Sequence, residues 1–139
     1  MSSLKAMSHD ADVQQIEARY RAYCDACESN QLEKVPGFWA LPAQFTLDTG
    51  GSETSQQIVS SPDEMVKLYS TLFGPSTGVD KTLIDSSEVT FYGARLATIS
   101  TTLRHLAGDR LNDRQDAVYG CRKVDGEWMF VSHLSVDTD

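Results

Sequence analysis

Basic charge is what this sequence has least of: 12 lysines and arginines stand against 20 aspartates and glutamates, for a formal net charge of −8. No run of Lys or Arg offers the footprint with which a protein displaces counterions from nucleic acid, and the same lack disfavours an anionic membrane surface. No apolar run approaches the length of a bilayer span. The opening "MSSLKAMSHDADV" has no apolar core of the kind a secretory signal carries. The cysteines number three, which makes no disulfide framework, so a reducing, cytoplasmic setting is expected. A glycine-rich phosphate loop, a G-x-S-x-G elbow and an H-E-x-x-H pair are also missing, so nucleotide, serine-hydrolase and metalloprotease chemistry lose their support. What remains is a small apolar or weakly polar molecule as the expected partner, with neither cofactor nor metal.

The 139 residues suffice for one domain with a core of its own. Residues 1–9 read as a flexible tail and 10–139 as a single domain. From Asp10 to Ser29 the apolar spacing is helical, with Val13, Ile16, Tyr20, Tyr23, Cys24 and Cys27 on one stripe. A break at "ESNQ" leads to a short amphipathic piece, Leu32 to Trp39, interrupted by Pro36 and Gly37. "PAQFTLDTGGS" reads as a strand ended by Gly50-Gly51. The next helix has the clearest signals: Ser61 as N-cap, Pro62 at its first position, Glu64 completing a capping box, and Gly74-Pro75 as the stop. Beyond it the period becomes two. Four strands follow, joined by turns at Gly93, Gly108-Asp109 and Asp125-Gly126, and short turns make consecutive strands antiparallel neighbours. Helices early and strands late predict an α+β fold, with helices packed on one face of a curved antiparallel sheet.

Two segments carry a family likeness. "YRAYCDACESNQLEKVPGFWALPAQFTLDTGG" runs from a helix through a polar break and a short helix into a first strand. "AVYGCRKVDGEWMFVSHLS" closes the chain as strand, Asp-Gly turn, Trp, strand. Over about residues 10 to 137 the chain resembles the nuclear transport factor 2-like superfamily, which includes SnoaL-like polyketide cyclases and ketosteroid isomerases. The resemblance implies a cystatin-like cone, a bent sheet wrapped around helices with a pocket between them. It also implies a homodimer made through the outer face of the sheet.

The last strand, "EWMFVSHLS", is apolar on both faces. Strict alternation places Trp128, Phe130 and Leu134 on one side and Met129, Val131 and His133 on the other. A doubly apolar strand wants cover on both sides. By analogy with the isomerases, the resemblance implies that the His133 set, with Val131 and Ser135, faces the pocket, which leaves Trp128 and Phe130 for a dimer interface.

His133 is the foremost catalytic candidate, because imidazole exchanges protons near neutral pH; the plainer alternative is a histidine satisfied by hydrogen bonds. Asp116 shares a strand face with Arg114, Val118, Gly120 and Arg122. Turned inward it would act as a base or orient His133, and otherwise it pairs with Arg114. Tyr23 falls, by the resemblance, where ketosteroid isomerases carry the tyrosine that hydrogen-bonds the developing oxyanion. Their catalytic aspartate aligns with Leu47, leaving Asp48 on the opposite face, and their second acid aligns with Gly120. Isomerase chemistry of that type is therefore not expected. Trp39, Tyr69 and Val118 complete the expected ligand contacts. Cys24-x-x-Cys27 reads as buried core rather than a redox or zinc motif. His105, near a turn, reads as a solvated strand end. The expected function is a small-molecule pocket of SnoaL-like type, working as a metal-free cyclase, isomerase or dehydratase by acid–base chemistry. The alternative is a non-catalytic dimeric ligand-binding or scaffold module of the same fold.

Overall fold

The computed structural model describes residues 2–48, 54–73 and 77–138, with side chains from Asp10 onward. The expected stops at Gly50-Gly51 and Gly74-Pro75 lie outside the described residues. The element order is α1 (Ser2–Glu28), a 3-10 helix (Leu32–Phe38), β1 (Trp39–Asp48), β2 (Ser55–Val59), α2 (Pro62–Phe73), β3 (Lys81–Phe91), β4 (Leu96–Ala107), β5 (Arg110–Val124) and β6 (Glu127–Thr138). The helical backbone of α1 begins at Ser2, so it runs through the segment expected as a tail.

Each helix follows from its own sequence. In α1 the stripe Ile16, Tyr20, Tyr23, Cys24 and Cys27 is buried, as its spacing requires. The helix stops at "ESNQ" because Asn30 turns left-handed, at φ 58°. Its N–H then bonds Cys27 O and that of Gln31 bonds Ala26 O, which closes a Schellman motif. In α2 the Glu64 N–H donates to Ser61 Oγ at 3.2 Å, while the Glu64 carboxylate accepts from the Ser60 N–H and the Ser61 hydroxyl. This is the capping box read from the sequence.

The six strands form one sheet in the order β2-β1-β6-β5-β4-β3. β3 to β6 make the expected antiparallel meander, and β1 runs parallel to β6, so the first and last strands meet in the middle of the sheet. The short β2 pairs with β1 and has no counterpart in the sequence reading. Among the described residues no helix is long and apolar enough to cross a membrane.

Two bulges decide which side chains face the helices. On β6, Phe130 pairs with Cys121 but Ser132 pairs with Gly120, so Val131 is an extra residue. It restores phase between the two halves of the strand. Trp128 and Phe130 are almost fully buried against the helices, and His133 and Ser135 lie on that same inner face. Strict alternation had placed Trp128 and Phe130 outside, at an interface; a one-residue slip moves every following side chain across the sheet. The Trp128 indole N–H donates to Asp12 Oδ1 of α1 at 3.0 Å, and its backbone N–H to Gln15 Oε1 at 2.9 Å. On β5 the inner face is Asp113, Gln115, Ala117, Tyr119 and Cys121. Asp116 and Val118 therefore point outward, opposite to the inward placement expected of them.

Candidate functional site

Between the inner face of the sheet and the C-terminal halves of both helices lies a cavity of about 300 Å³. Tyr23, Cys24 and Cys27 of α1 and Thr71 to Phe73 of α2 line it from the helical side. Leu47, Leu103, Tyr119, His133 and Ser135 line it from the sheet. Polar groups gather at the end formed by His105, Asn112, Asp113, Gln115 and Asp137.

His105 and Asp113 form the closest acid–base pair in this cavity. His105 Nδ1 lies 3.0 Å from one Asp113 carboxylate oxygen and 3.2 Å from the other. A carboxylate only accepts, so Nδ1 carries the proton, and Nε2 is left as the basic nitrogen. Burial alone would raise the Asp113 carboxyl, yet hydrogen bonds from His105 and Asn112, and the charge His105 carries when protonated, hold it below the usual carboxylate range. Phe73 packs edge-on against the imidazole, with centroids 5.2 Å apart. The ring is fixed by a carboxylate on one side and an aromatic on another.

The pair exists because of the second bulge. After the turn at Gly108, β4 and β5 pair Ala107 with Arg110 and Leu106 with Leu111; continued without a break, this register would set His105 opposite Asn112. The bulge sets it opposite Asp113. His105, only 6% exposed, is thus an inner-face residue and not a solvated strand end. The hairpin symmetry about Gly108 was the available signal, since it brings His105 within one residue of Asp113.

His133 does line the cavity, but its state differs from that of a neutral-pH proton carrier. Its ring stacks on Tyr119 at 4.5 Å and packs beside Phe45 at 5.4 Å. Burial, and secondarily the nearby His105, push its pKa down to about 3. Neither nitrogen has a hydrogen-bond partner among the described residues. Asp116, its expected helper, is exposed on the outer face and accepts a 2.9 Å hydrogen bond from Thr102. The two do not meet, because they stand on opposite faces of the sheet.

Tyr23 stands at the inner end of the cavity within a cluster of phenols. The Tyr119 hydroxyl donates to Tyr23 at 3.2 Å, and the Tyr23 and Tyr69 hydroxyls are 2.6 Å apart. Burial, and then the neighbouring phenols, push Tyr23 and Tyr119 well above the ordinary tyrosine value. They remain hydrogen-bond donors. Of the expected ligand contacts, Ser135 lines the cavity, Tyr69 supports Tyr23 from behind, and Trp39 packs against Phe45 in the core with centroids 4.8 Å apart. Val131 is the bulge residue and Val118 is on the outer face, so neither borders the cavity. Leu47 lines it while Asp48 falls on the other face, as the sequence register has it. Cys24, Cys27 and Cys121 are free and buried, and burial lifts the Cys24 and Cys121 thiols to about 12. Among the described residues no three His, Cys, Asp or Glu side chains are grouped to hold a metal ion.

Solved structures share this architecture. An NTF2-like protein with a cystatin-like fold from Novosphingobium aromaticivorans matches over 100% of this chain and 90% of its own, with a TM-score of 0.73 at 15% identity. A protein of unknown function with a cystatin-like fold from Nostoc punctiforme matches over 92% of each chain, with a TM-score of 0.73 at 13% identity. A Streptomyces avermitilis protein from the NTF2-like family, provisionally described as a dehydratase, matches over 94% of this chain and 98% of its own, with a TM-score of 0.67 at 17% identity. At these identities the likeness is one of fold. No curated protein matches the sequence. Residues 11–138, however, match the profile of an NTF2-like protein family, DUF6841, and the chain belongs to that family.

Proposed function

We propose that the cavity binds a small, weakly polar molecule and moves a proton on it, with His105 as the general base and Asp113 holding its tautomer. The observation that carries this reading is the 3.0 Å contact between His105 Nδ1 and Asp113 at the cavity wall. A half-buried carboxylate behind an imidazole fixes the ring and stabilises the imidazolium that forms when Nε2 takes a proton. With Tyr119, and Tyr69 in turn, donating to it, Tyr23 supplies a hydroxyl donor at the other end, where a developing oxyanion would sit. A base at one end and a donor at the other suit enolisation, and from it isomerisation, ring closure or loss of water. The last is the reaction provisionally given to the Streptomyces avermitilis neighbour. The three free, buried thiols fit a reducing, cytoplasmic setting.

The test uses a generic carbon acid. In D2O, 2-tetralone exchanges its α-hydrogens by way of its enolate, and NMR follows the loss of signal. The wild-type chain is expected to accelerate exchange, and His105→Gln to return it to the buffer rate. Exchange no faster with wild type than with His105→Gln would overturn the base assignment.

A second feature favours a dimer. Leu134 (56% exposed) and Val136 (38% exposed) stand on the outer face of β6, in the middle of the sheet, with Val118 beside Leu134 on β5. Apolar side chains grouped on an open sheet face suit an isologous contact with a second copy. This outer strip, rather than Trp128 and Phe130, is the proposed interface.

A further inference from the structure

We infer that the cavity selects against anions and takes a ligand that donates hydrogen bonds, either a neutral hydroxyl compound or an ammonium. The inference rests on the cavity being a ligand site, as proposed above, and adds the class of ligand.

Three features of the lining agree. The described residues around the cavity include no lysine and no arginine. Two carboxyl groups, Asp113 and Asp137, stand at its polar end, with Gln115 between them on the sheet: Gln115 follows Asp113 by two residues on β5, pairs with Asp137 of β6 and donates to it at 2.9 Å. Finally His133, the buried imidazole in the wall, brings no positive charge near neutral pH, and among the described residues its nitrogens have no hydrogen-bond partner. Burial, and to a lesser degree the nearby Asp113, raises the Asp137 carboxyl.

A carboxylate or phosphate entering the polar end would lose its water and face the carboxyl groups of Asp113 and Asp137. A hydroxyl or ammonium would meet acceptors that it can satisfy, and the rings of Tyr23, Tyr119 and Phe73 offer faces to a cation or a flat apolar body. A volume of about 300 Å³ is at the lower end of ligand cavities, which run on the order of 300–1,000 Å³. Compact molecules of one or two rings are the right size.

Calorimetric titration of the wild-type chain near neutral pH with three probes of one shape tests this: 2-naphthylmethanol, 2-naphthylmethylammonium and 2-naphthoate. The alcohol or the ammonium is expected to bind at least tenfold more tightly than the carboxylate, and the order of the first two tells which donor the site prefers. In Asp137→Asn the gap is expected to narrow. Naphthoate binding as well as the others would overturn the inference while leaving a ligand site in place. An unchanged gap in Asp137→Asn would overturn the role of that carboxylate. Binding of none of the three would overturn the ligand site itself, and the inference with it.

Discussion

The histidines show how a side chain's surroundings, and not its type, set its role. His105 is held by a carboxylate that keeps its tautomer fixed, whereas His133 sits among aromatic rings with no hydrogen-bond partner among the described residues. The sequence reading put His133 forward as the proton carrier and took His105 for a solvated strand end, because residue type does not tell them apart and only the packing separates their surroundings. The depressed pKa of His133 has a consequence for stability. The unfolded chain takes up the proton near pH 6.5 and the folded chain only near about 3. This contribution to stability is therefore whole above about pH 6.5 and declines as pH falls toward 3, by up to about 1.4 kcal/mol per pH unit. His133→Phe, which keeps an aromatic ring but cannot titrate, is expected to flatten that slope in urea denaturation followed between pH 7 and 4. An identical slope in both proteins would show that His133 titrates normally. Asp116 is expected to matter little: with its carboxylate on the outer face, Asp116→Asn should shift stability by less than about 0.5 kcal/mol.

At the scale of elements, the helices were legible and the phase of two strands was not. The capping box of α2 and the buried stripe of α1 are local signals, written within a few residues of where they act. The same holds for the Asp125-Gly126 turn, whose residues both adopt positive φ, at 51° and 84°. A bulge has no such local signature. At Val131 and at Asn112 the extra residue is accommodated by the neighbouring strand, so the inner faces of β5 and β6 follow from pairing across the sheet. One bulge turned the expected interface residues into core, and the other made the His105–Asp113 pair. The placement of Trp128 separates core from interface directly. Trp128→Ala removes a buried indole together with its bond to Asp12, and should cost about 3–5 kcal/mol of folding stability. That loss, read by chemical denaturation, should be the same at dilute and high protein concentration. A loss appearing only as a weaker dimer would return Trp128 to the interface.

For the whole molecule, the cone divides its labour between two sheet faces. The inner face, closed by α1 and α2, carries the cavity and its acid–base groups, while the outer face carries Leu134, Val136 and Val118 in the open. Fold class and element order were readable because they depend on the succession of periods and turns, which survives local slips. The parallel pairing of β1 with β6 in the middle of the sheet was not, since nothing near either strand announces a partner so distant in the chain. If the outer strip joins two copies, Leu134→Lys with Val136→Lys should yield a monomer by sedimentation while the cavity keeps its ligand preference. A wild-type chain that sediments as a monomer at high concentration would remove the dimer and leave the cavity untouched.

The central claim is that a ligand in this cavity meets His105, and the ring signals of the histidines report on it most directly. Long-range proton–nitrogen spectra should be recorded while 2-naphthylmethanol is added to the wild-type chain. The account predicts that the ring resonances of His105 and His133 move together and saturate, with the His105 Nδ1 proton still in place. Both rings unmoved at saturation would mean that small molecules bind elsewhere, and that the His105–Asp113 pair is a structural contact alone.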